Sequence, residues 1–335
     1  MLEDMSFSSS PLVTVILPIR NERAFIERCL GAVLAQDYPA ERMEILIADG
    51  MSDDDTRAII AALPGAERVR IIDNPRRIQS AGLNAAIAQA TGDILVRVDG
   101  HTLIAPDYVR QCVAALQATG ADNVGGAMDP VGLTATGAAI AAAGKSPFAV
   151  PTAFHVSQEP QFTDTVYLGA WPRRVFERVG GFNEHVGVNE DYELNYRIRA
   201  SGGTIYFSPA IRSVYYGRQT FPDLARQYYR YGRSKVKTLR EHPASLRPRQ
   251  LVAPLFVAGL VGGLPLSALS GALRRLWLAG LLAYLAANLV FSFKAAERIE
   301  AQAVWRLPLV FLTIHLAWGF GFWVGLLASQ KTQIR

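Results

Sequence analysis

The feature that most constrains this chain is a change of solvent near residue 250. Beyond it lie three apolar stretches, 251–272, 276–293 and 307–328, with no acidic residue in any of them. At about 1.5 Å per residue the outer two reach across a hydrocarbon core of roughly 30 Å, and the middle one barely does. A buried helical domain would show polar helix faces beside the apolar ones, and these stretches have none, so a transmembrane region is expected over 250–329. Asn288, His315 and the interior Gly and Pro residues are tolerated in lipid where they face other helices. Three crossings put the C-terminus opposite the N-terminal region, whereas a re-entrant first segment, suggested by Pro254 and Pro265, returns it. Arg274 and Arg275, set against Lys294, Arg298 and Arg306, leave both topologies open.

Before residue 250 the punctuation is that of a soluble α/β domain. Apolar runs at Val13 to Ile19, Met43 to Ala48, Val69 to Ile72 and Ile94 to Val98 alternate with helical periodicity at Asn21 to Gln36 and Gln79 to Ala90. Strands this apolar, separated by helices, predict a mostly parallel sheet covered on both faces. Ligands of such sheets bind beyond the carboxyl ends of the strands. Those ends carry Arg20-Asn21-Glu22, Asp49-Gly50, Asp73-Asn74 and Asp99-Gly100-His101. The expected organisation is a flexible N-terminus over 1–12, a catalytic domain over 13–220, a basic and aromatic segment over 221–249, and the transmembrane region.

Several function classes drop out. Cys29 and Cys112 have no partner at metal-ligand spacing, so a disulfide framework and a zinc site are excluded and buried free thiols are expected. MLEDMSFSSS has acidic residues and no apolar core, so no signal peptide is expected. The first turn reads Leu17-Pro18-Ile19-Arg20-Asn21-Glu22, neither GxGxxG nor GxxxxGK[ST], against a dehydrogenase and an NTPase. The formal charge of +5 concentrates around Arg226, Arg230, Arg233, Lys235, Lys237 and Arg240, among Tyr228, Tyr229 and Tyr231. Next to a membrane segment this composition suits anionic headgroups, and without a nucleic-acid fold signature no nucleic-acid partner is expected.

Carboxylates closing several strands suit a nucleotide held by its base and ribose, with its diphosphate held through a divalent metal. PIRNE, ADGMSDD, NPRRIQSAGLNAAI and VRVDGH, followed by LGAWPRRVFERVGGFNE, NEDYELNYRIRASG and RQYYRYG, resemble in order the inverting family 2 glycosyltransferases of glycosyltransferase A fold. The resemblance spans about Val13 to Gly232. The membrane tail and the DGH variant are most similar to the succinoglycan-biosynthesis branch. The resemblance implies a nucleotide pocket lined by Pro18, Arg20, Glu22, Asp49, Asp53, Arg77, Asn84 and Asp99, with Asp49 near the uracil or ribose. Asp53 in SDDD also reads as a plain helix N-terminus, and Asn84 and Arg77 as residues that order the loop.

The family's DxD metal motif is here Asp99-Gly100-His101, one carboxylate and one imidazole. Imidazole suits Mn2+ better than Mg2+, so Mn2+ is favoured of the two. Glu190-Asp191 matches the family's Glu-Asp motif, whose aspartate is the usual base; a weakly nucleophilic acceptor hydroxyl needs such a carboxylate. Gln227-Tyr228-Tyr229-Arg230-Tyr231 is similar to the QxxRW element of membrane-bound relatives, with Tyr231 replacing Trp. Glu190, Trp171, Gln227, Arg230 and Tyr231 are therefore expected on the acceptor and diphosphate side, and single addition is expected over processive synthesis. The implied activity is hexosyl transfer from a UDP-sugar to a lipid-diphosphate-linked saccharide for bacterial exopolysaccharide, beside other polysaccharide-assembly enzymes. Its place would be the cytoplasmic membrane, multi-pass, with the catalytic domain cytoplasmic. Two alternatives stand: transfer to a bare polyprenyl phosphate, and a non-catalytic membrane scaffold that binds nucleotide-sugar.

Overall fold

A computed structural model describes residues 10–149 and 152–328. The chain divides into two compact units, Met1–Asp129 with Thr152–Tyr215, and Pro130–Pro151 with Tyr216–Arg335. Most of the N-terminus expected to be flexible lies outside the described residues. Pro11 and Leu12 are tied down, Pro11 O accepting from the Tyr38 hydroxyl and Leu12 O from the Asp93 amide.

The first unit is built on one mixed sheet. Its strands are β1 (Val13–Ile19), β2 (Met43–Asp49), β3 (Val69–Asp73), β4 (Ile94–Arg97), β5 (Thr102–Ile104), β6 (Asn123–Val131), β7 (Gln161–Phe162), β8 (Tyr167–Pro172) and β9 (Ile205–Tyr216). The order is β3-β2-β1-β4-β8-β6-β9-β5, with β7 on β9. The four strands legible in the sequence, β3-β2-β1-β4, are parallel. Beyond it the chain reverses: β4 with β8, β6 with β8, β5 with β9 and β7 with β9 are antiparallel.

Helices α1 (Ile26–Leu34), α2 (Thr56–Ala62), α3 (Gln79–Gln89) and α4 (Tyr108–Thr119) follow strands of the first unit. After α5 (Ala135–Gly144) of the second unit come α6 (Ala153–Val156), α7 (Arg174–Val179) and α8 (Glu190–Ala200). Because parallel strands are buried on both sides, two apolar clusters form. Val15, Leu17 and Ile47 pack with α1 and α4, and Ile16, Leu46 and Leu95 with α3, α7 and α8. Cys29 and Cys112 are buried free thiols. The register places Ile19, Asp49 and Asp73 in one row, so the strand ends open onto a single edge. The helix expected from Asn21 starts at Ile26 instead, because Asn21 is left-handed (φ 56°) and residues 20–25 wrap the end of β1.

The second unit holds α5, α9 (Phe221–Glu241), α10 (Val252–Leu266), α11 (Gly271–Ala296), α12 (Ala301–Val304) and α13 (Leu307–Leu327). Three of its helical stretches are long and apolar enough to cross a membrane: Pro248–Leu266, Gly271–Ala296 and Ala301–Leu327. The middle one is longer than its apolar run predicts, at 26 residues, because Ser270 caps it from outside that run, accepting from the Leu273 amide. Pro254 and Pro265 do not break α10. Pro254 lies in its first turn, where a missing N–H is tolerated, and Pro265 lies inside the helix one residue before its end, giving up one ladder hydrogen bond there. One expectation fails in α9: Lys235 does not face headgroups. It is 2% exposed, and its ammonium donates to the Ser245 carbonyl and hydroxyl at 3.2 Å each.

Candidate active site

At the carboxyl edge of the parallel strands lies a cavity of about 180 Å³, lined by Pro18, Arg20 and Glu22 after β1, Gly50 after β2, Asn74 and Arg77 after β3, and Asp99 and His101 after β4. Six residues expected at a nucleotide or metal site thus share one wall. Backbone strain gathers at the same edge: Asn21, Met51 and Arg77 all have φ of 56–57°. Left-handed geometry is costly for such residues and persists where the surroundings over-determine it.

Asp49 does not reach the cavity wall. Its fully buried carboxylate accepts from the Ser52 amide and hydroxyl and pairs with Arg57, which also reaches Asp73. It fastens the loop that carries Gly50. Asp53 is exposed and exchanges hydrogen bonds with Asn21, at 2.7 and 3.0 Å. The plain helix-start reading fits the segment: Ser52 to Asp55 lead directly into α2, which begins at Thr56, and Asp54 accepts from the Thr56 amide. Asn84 orders a loop, donating to Phe182 O and Glu184 and accepting from the Phe182 amide. Trp171 is a correction. It is 1% exposed, its ring packed edge-on against Phe176 and Phe182, so it belongs to the core and offers no stacking face to a sugar.

Behind the cavity runs an ion chain that links it to α8. Arg97, 5% exposed, donates through Nε and Nη2 to the two Asp99 oxygens (2.7 and 3.2 Å) and through Nη2 to Glu190 Oε1 (3.0 Å). Burial opposes its charge, but Asp99, Glu190 and Asp191 outweigh that and raise its pKa. Burial raises Glu190 above the ordinary carboxyl range against the pull of Arg97, and repulsion from Asp191 adds to it. Asp191 is raised as well, by burial first and by Asp99, with Arg97 opposing. Asn189 (φ 65°) turns the chain into α8, and the Asp191 carboxylate accepts from the Tyr192 amide. Glu193 and Arg197 pair four residues apart, as their spacing allows, but Glu193 is buried. Arg97 is the site residue that motif reading misses. The signal was present: a charge between Val96 and Val98 in a fully buried strand requires a partner.

Asp99 and His101, both on the cavity wall, are donor types that a divalent ion takes, although both Asp99 oxygens here accept from Arg97. Asp99 supplies carboxylate oxygen, and His101 Nδ1 lies 3.0 Å from Glu22 Oε1. The tautomer that donates this proton to Glu22 carries its lone pair on Nε2, the arrangement by which carboxylates orient metal-binding imidazoles.

Gln227, Arg230 and Tyr231 belong to the second unit. On α9 the Gln227 amide donates to the Tyr231 hydroxyl at 2.8 Å, one turn apart, Tyr231 packs edge-on with Tyr228, and Arg230 is exposed.

The model for Glycosyl transferase family 2 matches residues 14–140, and that for Glycosyl transferase family group 2 matches residues 94–324. The succinoglycan biosynthesis protein ExoA of Rhizobium meliloti (strain 1021) is 32% identical, over 99% of both chains. The chain is a family 2 glycosyltransferase. This glycosyltransferase is also 25% identical, over 96% of its length and 98% of the relative's, to a dolichyl N-acetyl-alpha-D-glucosaminyl phosphate 3-beta-D-2,3-diacetamido-2,3-dideoxy-beta-D-glucuronosyltransferase of Methanococcus voltae. Among solved structures, the mannosyltransferase PcManGT from Pyrobaculum calidifontis, in complex with GDP-Man and Mn2+, superposes with a TM-score of 0.60 at 20% identity. It covers 96% of this chain and 88% of its own, a likeness of fold. The similarity to ExoA over the whole chain places the glycosyltransferase in that branch.

Proposed function

We propose that the chain is an inverting glycosyltransferase that moves one hexosyl unit from a UDP-sugar to a lipid-diphosphate-linked saccharide in exopolysaccharide assembly. The observation that carries this is the Asp99–Arg97–Glu190 bridge, because it ties the cavity wall to the start of α8, where Asp191 sits. Donor and acceptor chemistry then share one charged framework. Pro18, Arg20, Glu22 and Arg77 hold the nucleotide, and Asp49 positions the Gly50 loop against it through Ser52 and Arg57.

Asp99 and His101, oriented by Glu22, would hold a divalent ion, with Mn2+ preferred over Mg2+ because of the imidazole. When bound, the ion stabilises the negative charge that grows on the departing diphosphate. Asp191 accepts the proton of the acceptor hydroxyl as that oxygen bonds to C1 and the C1–O bond to the diphosphate breaks. Single displacement inverts the anomeric centre. A carboxyl raised above its ordinary value is a stronger base at neutral pH than an exposed aspartate. Gln227, Arg230 and Tyr231 on α9 are assigned to the acceptor diphosphate. The membrane-capable helices support a multi-pass enzyme of the bacterial cytoplasmic membrane with a cytoplasmic catalytic unit.

Asp191→Asn tests the assignment. UDP binding by calorimetry should be unchanged, while transfer of radiolabelled sugar to lipid falls by about 10²–10⁴-fold. Near wild-type transfer would remove Asp191 as the base. Supplying bare polyprenyl phosphate and lipid-diphosphate saccharide in parallel separates the two acceptor classes.

A further inference from the structure

The cavity at the strand ends crosses β3, β2, β1 and β4 in that order. Neighbouring strands are about 4.8 Å apart, so three spacings put about 14 Å between its two ends. The proposed function, on which this inference rests, sets the donor diphosphate beside Asp99 and His101 at the β4 end. The nucleoside then extends over β1, and its base reaches the ends of β2 and β3. Ala48, Gly50, Asn74, Arg77 and Ile78 line the cavity there.

A base held in a pocket is recognised by hydrogen bonds to its polar edge, which requires protein atoms with capacity left to pair. The family resemblance gives this task to Asp49. Its carboxylate is already engaged: Ser52 donates to it through amide and hydroxyl and Arg57 through Nε, and the residue is fully buried. Asn74 differs. It is 5% exposed and lines the cavity, and its Nδ2 donates to Ile78 O at 2.8 Å. A carbonyl only accepts, so this bond fixes which side-chain atom is the nitrogen and turns the amide oxygen away from Ile78. Oδ1 accepts from no protein donor among the described residues, and it is not sealed off from the cavity.

The surroundings hold that oxygen in place. The Asn74 amide donates to Asp49 O at 2.8 Å, so the end of β2 positions it. Asn74 O accepts from the Arg77 amide at 3.0 Å, closing a turn through Pro75 and Arg76 that brings left-handed Arg77 to the same wall. Gly82 of α3 leaves room for the side chain: a Cβ there would stand 2.9 Å from Asn74 Nδ2 and 3.3 Å from Ala48 Cβ.

We propose that Asn74 reads the donor's base, its Oδ1 accepting from the N3–H of uracil, with the Arg77 guanidinium facing an adjacent carbonyl oxygen of the ring. Cytosine and adenine present a lone pair where uracil presents this N–H, and would set it against the Asn74 oxygen. Guanine presents two neighbouring N–H groups, which a carboxylate takes with its two oxygens. The carboxylate at this end, Asp49, is closed, and Asn74 has one oxygen to offer. Uracil is the base that a single acceptor satisfies. Asp49 contributes through its carbonyl, which carries Asn74, and through its hold on the Gly50 loop.

Calorimetry on the full-length, detergent-solubilised chain in Mn2+ tests this with UDP, N3-methyl-UDP, CDP and GDP. The wild type should bind UDP at least about tenfold more tightly than each of the other three, because each leaves a polar group of the pocket or the base unpaired. In Asn74→Ala, UDP affinity should fall by about tenfold while N3-methyl-UDP affinity holds or rises, so the discrimination between the two collapses. Asn74→Ser, whose hydroxyl is too short to reach the base, should show the same collapse, and near-UV circular dichroism checks that both variants fold. Comparing UDP with N3-methyl-UDP on the wild type needs no variant. Equal affinity in that comparison, tighter binding of GDP or CDP than of UDP, or undiminished discrimination in the folded variants overturns the assignment and leaves the transferase reading standing. Binding of none of the four nucleotides removes the nucleotide-sugar reading itself.

Discussion

Replacing Arg97 by methionine should expose the energetics of the ion chain. The side chain is 6% exposed and faces Asp99 and Glu190, whose side chains are 12% and 6% exposed. Arg97→Met removes three charge-assisted hydrogen bonds and leaves two buried carboxylates without a counter-charge. Deleting one partner of a buried pair costs about 3–5 kcal/mol. Glu190 is already raised by burial, so it takes up a proton when Arg97 is gone and part of the penalty is relieved, which favours the lower end, about 3 kcal/mol. For a unit of this size that lowers Tm by about 6–12 °C. Thermal unfolding of the detergent-solubilised chain, followed by near-UV circular dichroism, measures it. Arg97→Met combined with Glu190→Gln should recover about half the loss, because one stranded charge is then removed. If Asp99 holds the proposed ion, Mn2+ should raise the Tm of Arg97→Met more than that of the wild type, because both Asp99 oxygens bond Arg97 in the wild type. A Tm loss below about 2 °C, or no recovery in the double variant, would refute the claim that this bridge couples the cavity to α8.

Because burial raises Asp191 and only its deprotonated form accepts a proton, kcat should fall as pH drops through a midpoint above the ordinary aspartate value of about 3.9; an acid limb at or below that value contradicts the assignment. His101→Asp restores two carboxylates at the metal site, so the preference for Mn2+ over Mg2+ in transfer should shrink several-fold, and an unchanged ratio would take His101 out of the metal's contacts. Gly321→Leu drives a side chain into the Tyr229 backbone and should destabilise the α9–α13 pair by about 1–3 kcal/mol, seen as faster proteolysis within α9 while UDP affinity holds; unaltered cleavage would count against that packing.

The parallel strands, the helices between them and the acidic strand ends were legible because each rests on local periodicity, 2 or 3.6 residues, and on punctuation by polar residues. The membrane-capable helices were legible for the same reason: length and apolarity are properties of a contiguous stretch. Trp171 and Lys235 were misplaced because residue type sets a propensity for the surface, whereas position in the packed chain sets the surface itself. Trp171 falls where β8 lies under α7, and Lys235 where a turn at Ser245 closes over α9.

The sequence alone determined the family, the first four strands, the apolar C-terminal stretches and the chemical identity of the groups at the strand ends, since these follow from covalent order and short-range sterics. Tertiary structure decided which of those groups meet. Arg97 finds Glu190 across 93 residues, Asp49 withdraws behind Ser52 and Arg57, and Gly321 and Gly319 let the Tyr229 backbone of α9 and Val257 of α10 come close to α13. Contacts between residues far apart in the chain depend on how whole elements pack, and no local pattern encodes that geometry.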